Sequence, residues 1–183
     1  MKSGLLSPQG NFSADTWLKI YENELTEAAT SVTISGLNGN TDVMYRLKFR
    51  AISGANSNWF GVRPNNDSAT NYGTQYIYGS ASTAGAGRDT ARTYLVESIS
   101  ATNSIDNACF GDIIIYAKSG YVRTCVDAGN SPISGTTITY LILSGGSWNN
   151  TADNITSMVV FTPVASGLGI GTFIELWKPL AKV

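Results

Sequence analysis

Between Val43 and Ile52 the chain sets apolar residues at odd positions (Val43, Tyr45, Leu47, Phe49, Ala51) against mostly cationic ones at even positions (Arg46, Lys48, Arg50). A repeat of two matches the β-strand, whose successive side chains point to opposite faces, and not the helix, whose faces recur roughly every 3.6 residues. One face would be buried and the other wet, as in an antiparallel sheet. Comparable segments recur at Thr30–Ser35, Trp59–Arg63, Gln75–Tyr78, Thr93–Ser98, Asp112–Lys118, Tyr121–Asp127, Thr137–Ser144, Ile155–Phe161 and Thr172–Lys178, separated by clusters of Gly, Asn, Ser and Asp. Ser13 to Ala29 fits a helical face through Trp17, Tyr21, Leu25 and Ala28, but Trp17–Tyr21 is rich in strand formers, and a strand is expected there.

Two connections look tight. The Gly and Asn residues of Gly36–Asn40 supply positive φ and predict a hairpin joining Thr30–Ser35 to Val43–Ile52. Ser119–Gly120 predicts another between Asp112–Lys118 and Tyr121–Asp127. The run Ile113–Ile115 is apolar enough to be covered on both faces, which two packed sheets would provide. With no long helix, heptad repeat or charged linker in view, the expected fold class is all-β: a single two-sheet antiparallel sandwich, jelly-roll-like, of about ten strands. Residues 1–12 are expected as an extended N-terminal arm and 13–183 as the β-sandwich domain.

Charged residues make up only 14% of the chain and the net charge is -1, so no global field draws it to nucleic acid or to an anionic membrane, and neither is expected as a partner. There is no histidine. That removes the usual general base, the commonest transition-metal ligand and the base of most Ser or Cys triads. Asp112, Asp127, Asp153 and Glu175 could in principle supply a glycosidase pair, yet none lies in an acid/base motif, and strand ends and turn caps account for them. No enzymatic activity, cofactor or metal is expected. Asn65–Ser68 and Asp106–Asp112 carry oxygen ligands without calcium-loop spacing, and Asx turns explain both. Gly167–Gly171 is followed by strand-forming Phe173–Lys178 rather than a helix, so it reads as a bend and not a phosphate loop.

Two sets of residues are candidates for contact. Arg46, Lys48 and Arg50 would line one sheet face as a cationic strip facing a partner, or else a solvated face paired with acids across the sheet. Tyr72, Tyr76 and Trp148, with Trp59, stand in polar, loop-like surroundings and could stack on sugar rings, or else serve core or hairpin packing.

Several stretches taken together resemble a β-sandwich domain that recurs in tailed-bacteriophage virion proteins, in tail appendages and on head surfaces. They are Trp17–Ile20 with Ala29–Leu37, Tyr45–Arg50, Val62–Ser68 running into Asn71–Tyr76, and the ending Gly169–Lys178. The resemblance brings no catalytic residues with it. It implies a place, the virion surface, after synthesis in the host cytoplasm. The function it implies is a structural protein that decorates the capsid or tail through contacts with other virion proteins, forms a homo-oligomer and does no catalysis. The alternative is a glycan-binding module that recognises a host receptor.

Overall fold

The structure, a computed structural model, describes residues 17–54, 58–101, 108–134 and 136–180. The expected arm at residues 1–12, and Asp106 with Asn107, lie outside the described residues. Twelve strands run in order as β1 (Trp17–Glu24), β2 (Ser31–Ser35), β3 (Met44–Ala51), β4 (Asn58–Pro64), β5 (Tyr72–Ser80) and β6 (Thr83–Arg92), then β7 (Glu97–Ala101), β8 (Cys109–Tyr116), β9 (Arg123–Ser134), β10 (Thr137–Trp148), β11 (Ser157–Phe161) and β12 (Phe173–Pro179). One helical turn, α1 (Gly39–Asp42), stands between β2 and β3. A large sheet of eight strands has the order β1-β12-β3-β8-β9-β10-β5-β6, and a small sheet of four the order β2-β11-β4-β7. All ladder pairs are antiparallel. The expected all-β, two-sheet antiparallel sandwich is therefore the observed architecture.

The alternation of β3 sorts its side chains as expected. Tyr45, Leu47, Phe49 and Ala51 are buried, while Arg46, Lys48 and Arg50 lie on the outer face. Ile113, Ile115, Ile174 and Leu176 extend the same inner layer, and Val32, Ile34, Phe60, Val62, Met158 and Val160 face it from the small sheet. Burying a side chain of this size contributes about 1.5–3 kcal/mol relative to leaving it exposed, which makes this layer the main source of stability. Phe49 and Phe60 tie the two layers together edge to face, with ring centres 6.3 Å apart.

The hairpin expected between β2 and β3 is not formed. β2 pairs with β11 in the small sheet, and α1 carries the chain across to the large sheet. Alternation says that one face of a strand is buried, but it does not say which layer does the burying. The turn-forming residues serve the crossover instead: Asn38 caps α1 by accepting from the Thr41 amide at 3.4 Å, and a Cβ added to Gly39 would lie 2.7 Å from the Ala117 carbonyl oxygen. The second expected hairpin is present, with β8 and β9 paired from Phe110↔Asn130 to Ile115↔Cys125.

Gly85–Arg88, expected to be a flexible loop, lies within the edge strand β6. Its glycines are room for neighbours rather than flexibility. A Cβ on Gly85 or Gly87 would come within 2.6 or 2.5 Å of the Tyr78 or Tyr76 hydroxyl, so each ring lies over a glycine of the adjoining strand. The bend before β12 is as expected: Leu168 bridges both Ala29 and Ser53, and Gly171 takes a φ of +81°. Cys109 and Cys125 are buried and free, and burial pushes the Cys109 thiol up to about 12.

Candidate functional site

The cationic strip faces outward, and most of its charge is engaged. Register places Lys48 between Glu175 and Asp112, and Arg46 between Trp177 and Ile114. Arg46 binds the Asp112 carboxylate with two donors, Nε at 2.8 Å and Nη2 closer still, and this bond raises its pKa. Lys48 lies 5.2 Å from the centre of the Trp177 ring and Lys19 5.6 Å, so two ammonium groups share one indole. Lys19 also pairs with Glu22 and reaches Glu175 at 3.4 Å. Arg50 donates to the Gly171 carbonyl at 3.1 Å. Arg46 and Lys48 are thus in contact with an acid and a ring across the strands of their own sheet, and Arg50 with the turn that precedes β12.

Beside this strip the outer face turns apolar. Leu141 and Leu143 stand two residues apart on β10, Ile77 is opposite Leu143 on β5, and Ala128 flanks Leu143 from β9. Val126 continues the patch along β9, and Phe110 of β8 stands across Asn130 of β9 from Leu141. Ile77, Phe110, Val126, Leu141 and Leu143 are each between 44% and 57% exposed. Isolated exposed leucines are ordinary, but a contiguous apolar patch on a flat sheet marks a contact surface.

Of the three aromatic candidates, two belong to the core. Tyr72 is 2% and Trp148 0% exposed, and their rings stack on each other at 6.2 Å. Asp67 gathers their polar ends: the Trp148 indole donates to its carboxylate at 2.7 Å, and the Tyr72 hydroxyl to its backbone carbonyl at 2.9 Å. Burial opposes ionisation of Asp67, but bonds from Asn71, the Ala69 amide and Trp148 outweigh it and hold the carboxyl below its usual range. The Ala69 bond is also the Asx turn expected in that segment. Arg123 covers the far side of Trp148, 5.1 Å from the ring. Tyr72 and Trp148 are therefore not loop residues with a face open to a sugar, because even-numbered β10 positions near its end point inward. Tyr76 is half-buried and packs with Tyr78, which stacks on Tyr140 at 5.5 Å.

The open aromatic surface lies elsewhere, on the outer face of the small sheet. Phe60 and Val62 of β4 point into the core, so Trp59, Gly61 and Arg63 point out. Gly61 leaves room for the Phe161 ring of β11, since a Cβ there would lie 2.7 Å from it. Trp59, Tyr94 and Phe161 form a triangle of rings with centres 4.7 to 6.0 Å apart. The Arg63 guanidinium lies 3.8 Å from the Phe161 ring centre and donates through Nε to the Thr93 carbonyl at 2.8 Å. These groups, with Thr30, Ser31, Asn66, Val159, Thr162 and Pro163, line a cleft of about 410 Å³. Asn65 and Asn66 at its rim both hold left-handed backbone, φ +52° and +54°, fixed by the Asn65 side chain, which accepts from the Thr156 amide at 2.8 Å and donates to the Asn154 carbonyl at 2.8 Å. Tyr94, Phe161, Arg63 and Asn66 were missed in sequence. The alternation Trp59, Gly61, Arg63 was there to be read, but only the tertiary pairing brings Tyr94 and Phe161 to it.

One buried acid stands apart. Asp127 accepts from Ser144 at 3.2 Å through one oxygen, and its other oxygen has no hydrogen-bond partner among the described residues. Burial, against the Ser144 bond and with a small push from Asp112, raises it to about 7. Among the described residues no three His, Cys, Asp or Glu side chains converge as metal ligands. Comparison with protein-family models and with curated proteins gives no match for this chain.

Proposed function

We propose that this chain is a non-catalytic structural protein of a virion surface, which holds its neighbours through the outer face of its large sheet. The observation that carries the contact role is the apolar patch of Ile77, Phe110, Val126, Leu141 and Leu143, set beside a strip of charges already engaged within the sheet. An engaged charge keeps its position and costs little to bring near a partner, whereas the patch gains about 25 cal/mol for each Å² of apolar surface it buries. The viral setting is supported by the stretches that resemble tailed-phage surface domains, among them β12 and the Val62–Ser68 turn. The partners proposed are other capsid or tail proteins and further copies of this chain in a closed, symmetric arrangement. Mass spectrometry of purified particles, followed by cryo-electron microscopy, tests the reading. Symmetric copies with the patch turned against a neighbour would support it, and absence of the chain from particles would overturn it.

A further inference from the structure

The cleft on the small sheet has a composition that the assembly role leaves unused. Its walls are aromatic, its rim is hydroxyl and amide, and it holds one cation. Trp59 presents a ring whose negative face attracts the weakly positive C–H groups of a pyranose, while the Tyr94 ring beside it already carries the Arg92 guanidinium, 4.9 Å from its centre. Thr30, Ser31 and Asn66 stand around them as hydrogen-bonding groups suited to sugar hydroxyls, and the Asn66 amide has no partner among the described residues. Among the described residues Arg63 is the only cation that lines the cleft and no Asp or Glu lines it, the Asp67 carboxylate that feels its charge lying outside the lining. The guanidinium is held on two sides, by the Phe161 ring and by Thr93, yet its Nη1 donors have no partner among the described residues. A fixed, incompletely bonded guanidinium in an aromatic cleft suits a carboxylate, which it meets with parallel donors. The paired left-handed residues Asn65 and Asn66 place the amide at that rim at a cost in backbone energy, and such strain is commonly retained where a loop must present a group.

We propose that this cleft binds a carboxylate-bearing sugar, the ring seated against Trp59 and the carboxylate on Arg63. A volume of about 410 Å³ matches one or two sugar residues and lies within the usual range for small-ligand sites. The cleft and the apolar patch lie on opposite outer faces of the sandwich, so sugar binding and assembly are separable.

The test is a calorimetric titration of the full chain with N-acetylneuraminic acid and with glucuronic acid, beside glucose and N-acetylglucosamine as neutral counterparts, with ligand-observed NMR to detect weak binding. The acidic sugars should bind and weaken as salt is raised. Arg63→Gln should lower their affinity about tenfold or more. Because Arg63 also packs on Phe161, Asn66→Asp provides a second variant whose side chain bears no packing load. It should weaken the acidic sugars by repulsion and leave any residual neutral-sugar signal unchanged. Trp59→Leu should remove binding of both, while Leu143→Lys should leave the titration as it is. Neutral sugars binding as well as acidic ones, acidic-sugar binding indifferent to Arg63→Gln and Asn66→Asp, or no saccharide binding at millimolar concentrations would each overturn the proposal.

Discussion

Trp148 with Tyr72, and Trp59 with Tyr94, are two aromatic pairs set in similar polar sequence, and the fold uses them in opposite ways. The first pair is sealed: its rings stack in the core, Asp67 takes its polar ends and Arg123 closes it from the side. The second lies along an open cleft, with Phe161 beneath it and Arg63 beside it. What separates them is the phase of a strand. Trp148 stands in the inward register of β10 with Ile142 and Ser144, whereas Trp59 stands in the outward register of β4, one residue from buried Phe60. An aromatic residue amid Ser, Asn and Gly is therefore no guide to exposure until its strand's phase is known.

Trp148→Ala should break the contrast most severely, because it empties a fully enclosed site and strips Asp67 and Arg123 of a neighbour. Urea denaturation should show a loss of about 3–5 kcal/mol. Next in size is a contrast between two acids, Asp67 in a half-buried turn and Asp127 buried on β9. Asp67 is held below its usual range, so its contribution to stability is present at neutral pH and fades only under strongly acid conditions. Asp127 is raised from 3.8 to about 7, so the folded state binds the extra proton between those values and stability should fall as pH rises through them. At about 1.4 kcal/mol per unit the ceiling is about 4 kcal/mol, and a fall of about 1–3 kcal/mol between pH 5 and pH 8 is expected. With no histidine in the chain, little else titrates in that window. Asp127→Asn should flatten the profile; a curve as steep as that of the unaltered protein would place its cause elsewhere.

Trp59→Ala sharpens the comparison from the other side. A partly exposed ring over Phe161 should cost about 1–2 kcal/mol by the same denaturation assay, well short of the loss at Trp148. Arg46→Gln should cost least, about 0.5–1 kcal/mol at low salt and less at high salt, since its pair with Asp112 is partly open to water.

Period-two alternation carried most of the architecture. The outward charges of β3 and the turn at Ser119–Gly120 are where their residues place them. Ile113–Ile115 of β8, expected to be covered on both faces, buries Ile113 and Ile115 but leaves Ile114 half-buried on the outer face, which no second sheet covers among the described residues. Pairing across sequence was less legible. Thr30–Ser35 is as good a partner for β3 as for β11, and only the burial of Val32 and Ile34 by the opposite sheet decides between them. β6 escaped notice because its small residues are shaped by Tyr76 and Tyr78 on the next strand, a long-range demand that leaves no local β-propensity. The cleft was hidden for a related reason, since Trp59, Tyr94 and Phe161 come from three separate stretches. The apolar patch was hidden by its own composition: Leu141, Leu143 and Val126 look like core until register sends them outward.

The central claim is that this outward patch is where the protein meets its neighbours. The most direct measurement is competitive incorporation into particles of an equimolar mixture of the unaltered chain and a Leu141→Lys, Leu143→Lys variant, read by quantitative mass spectrometry. Both substitutions are on the solvent side, so the variant should keep its melting behaviour within about 0.5 kcal/mol. Strong exclusion of a folded variant from particles is the predicted result, and incorporation at parity with the unaltered chain would contradict the claim.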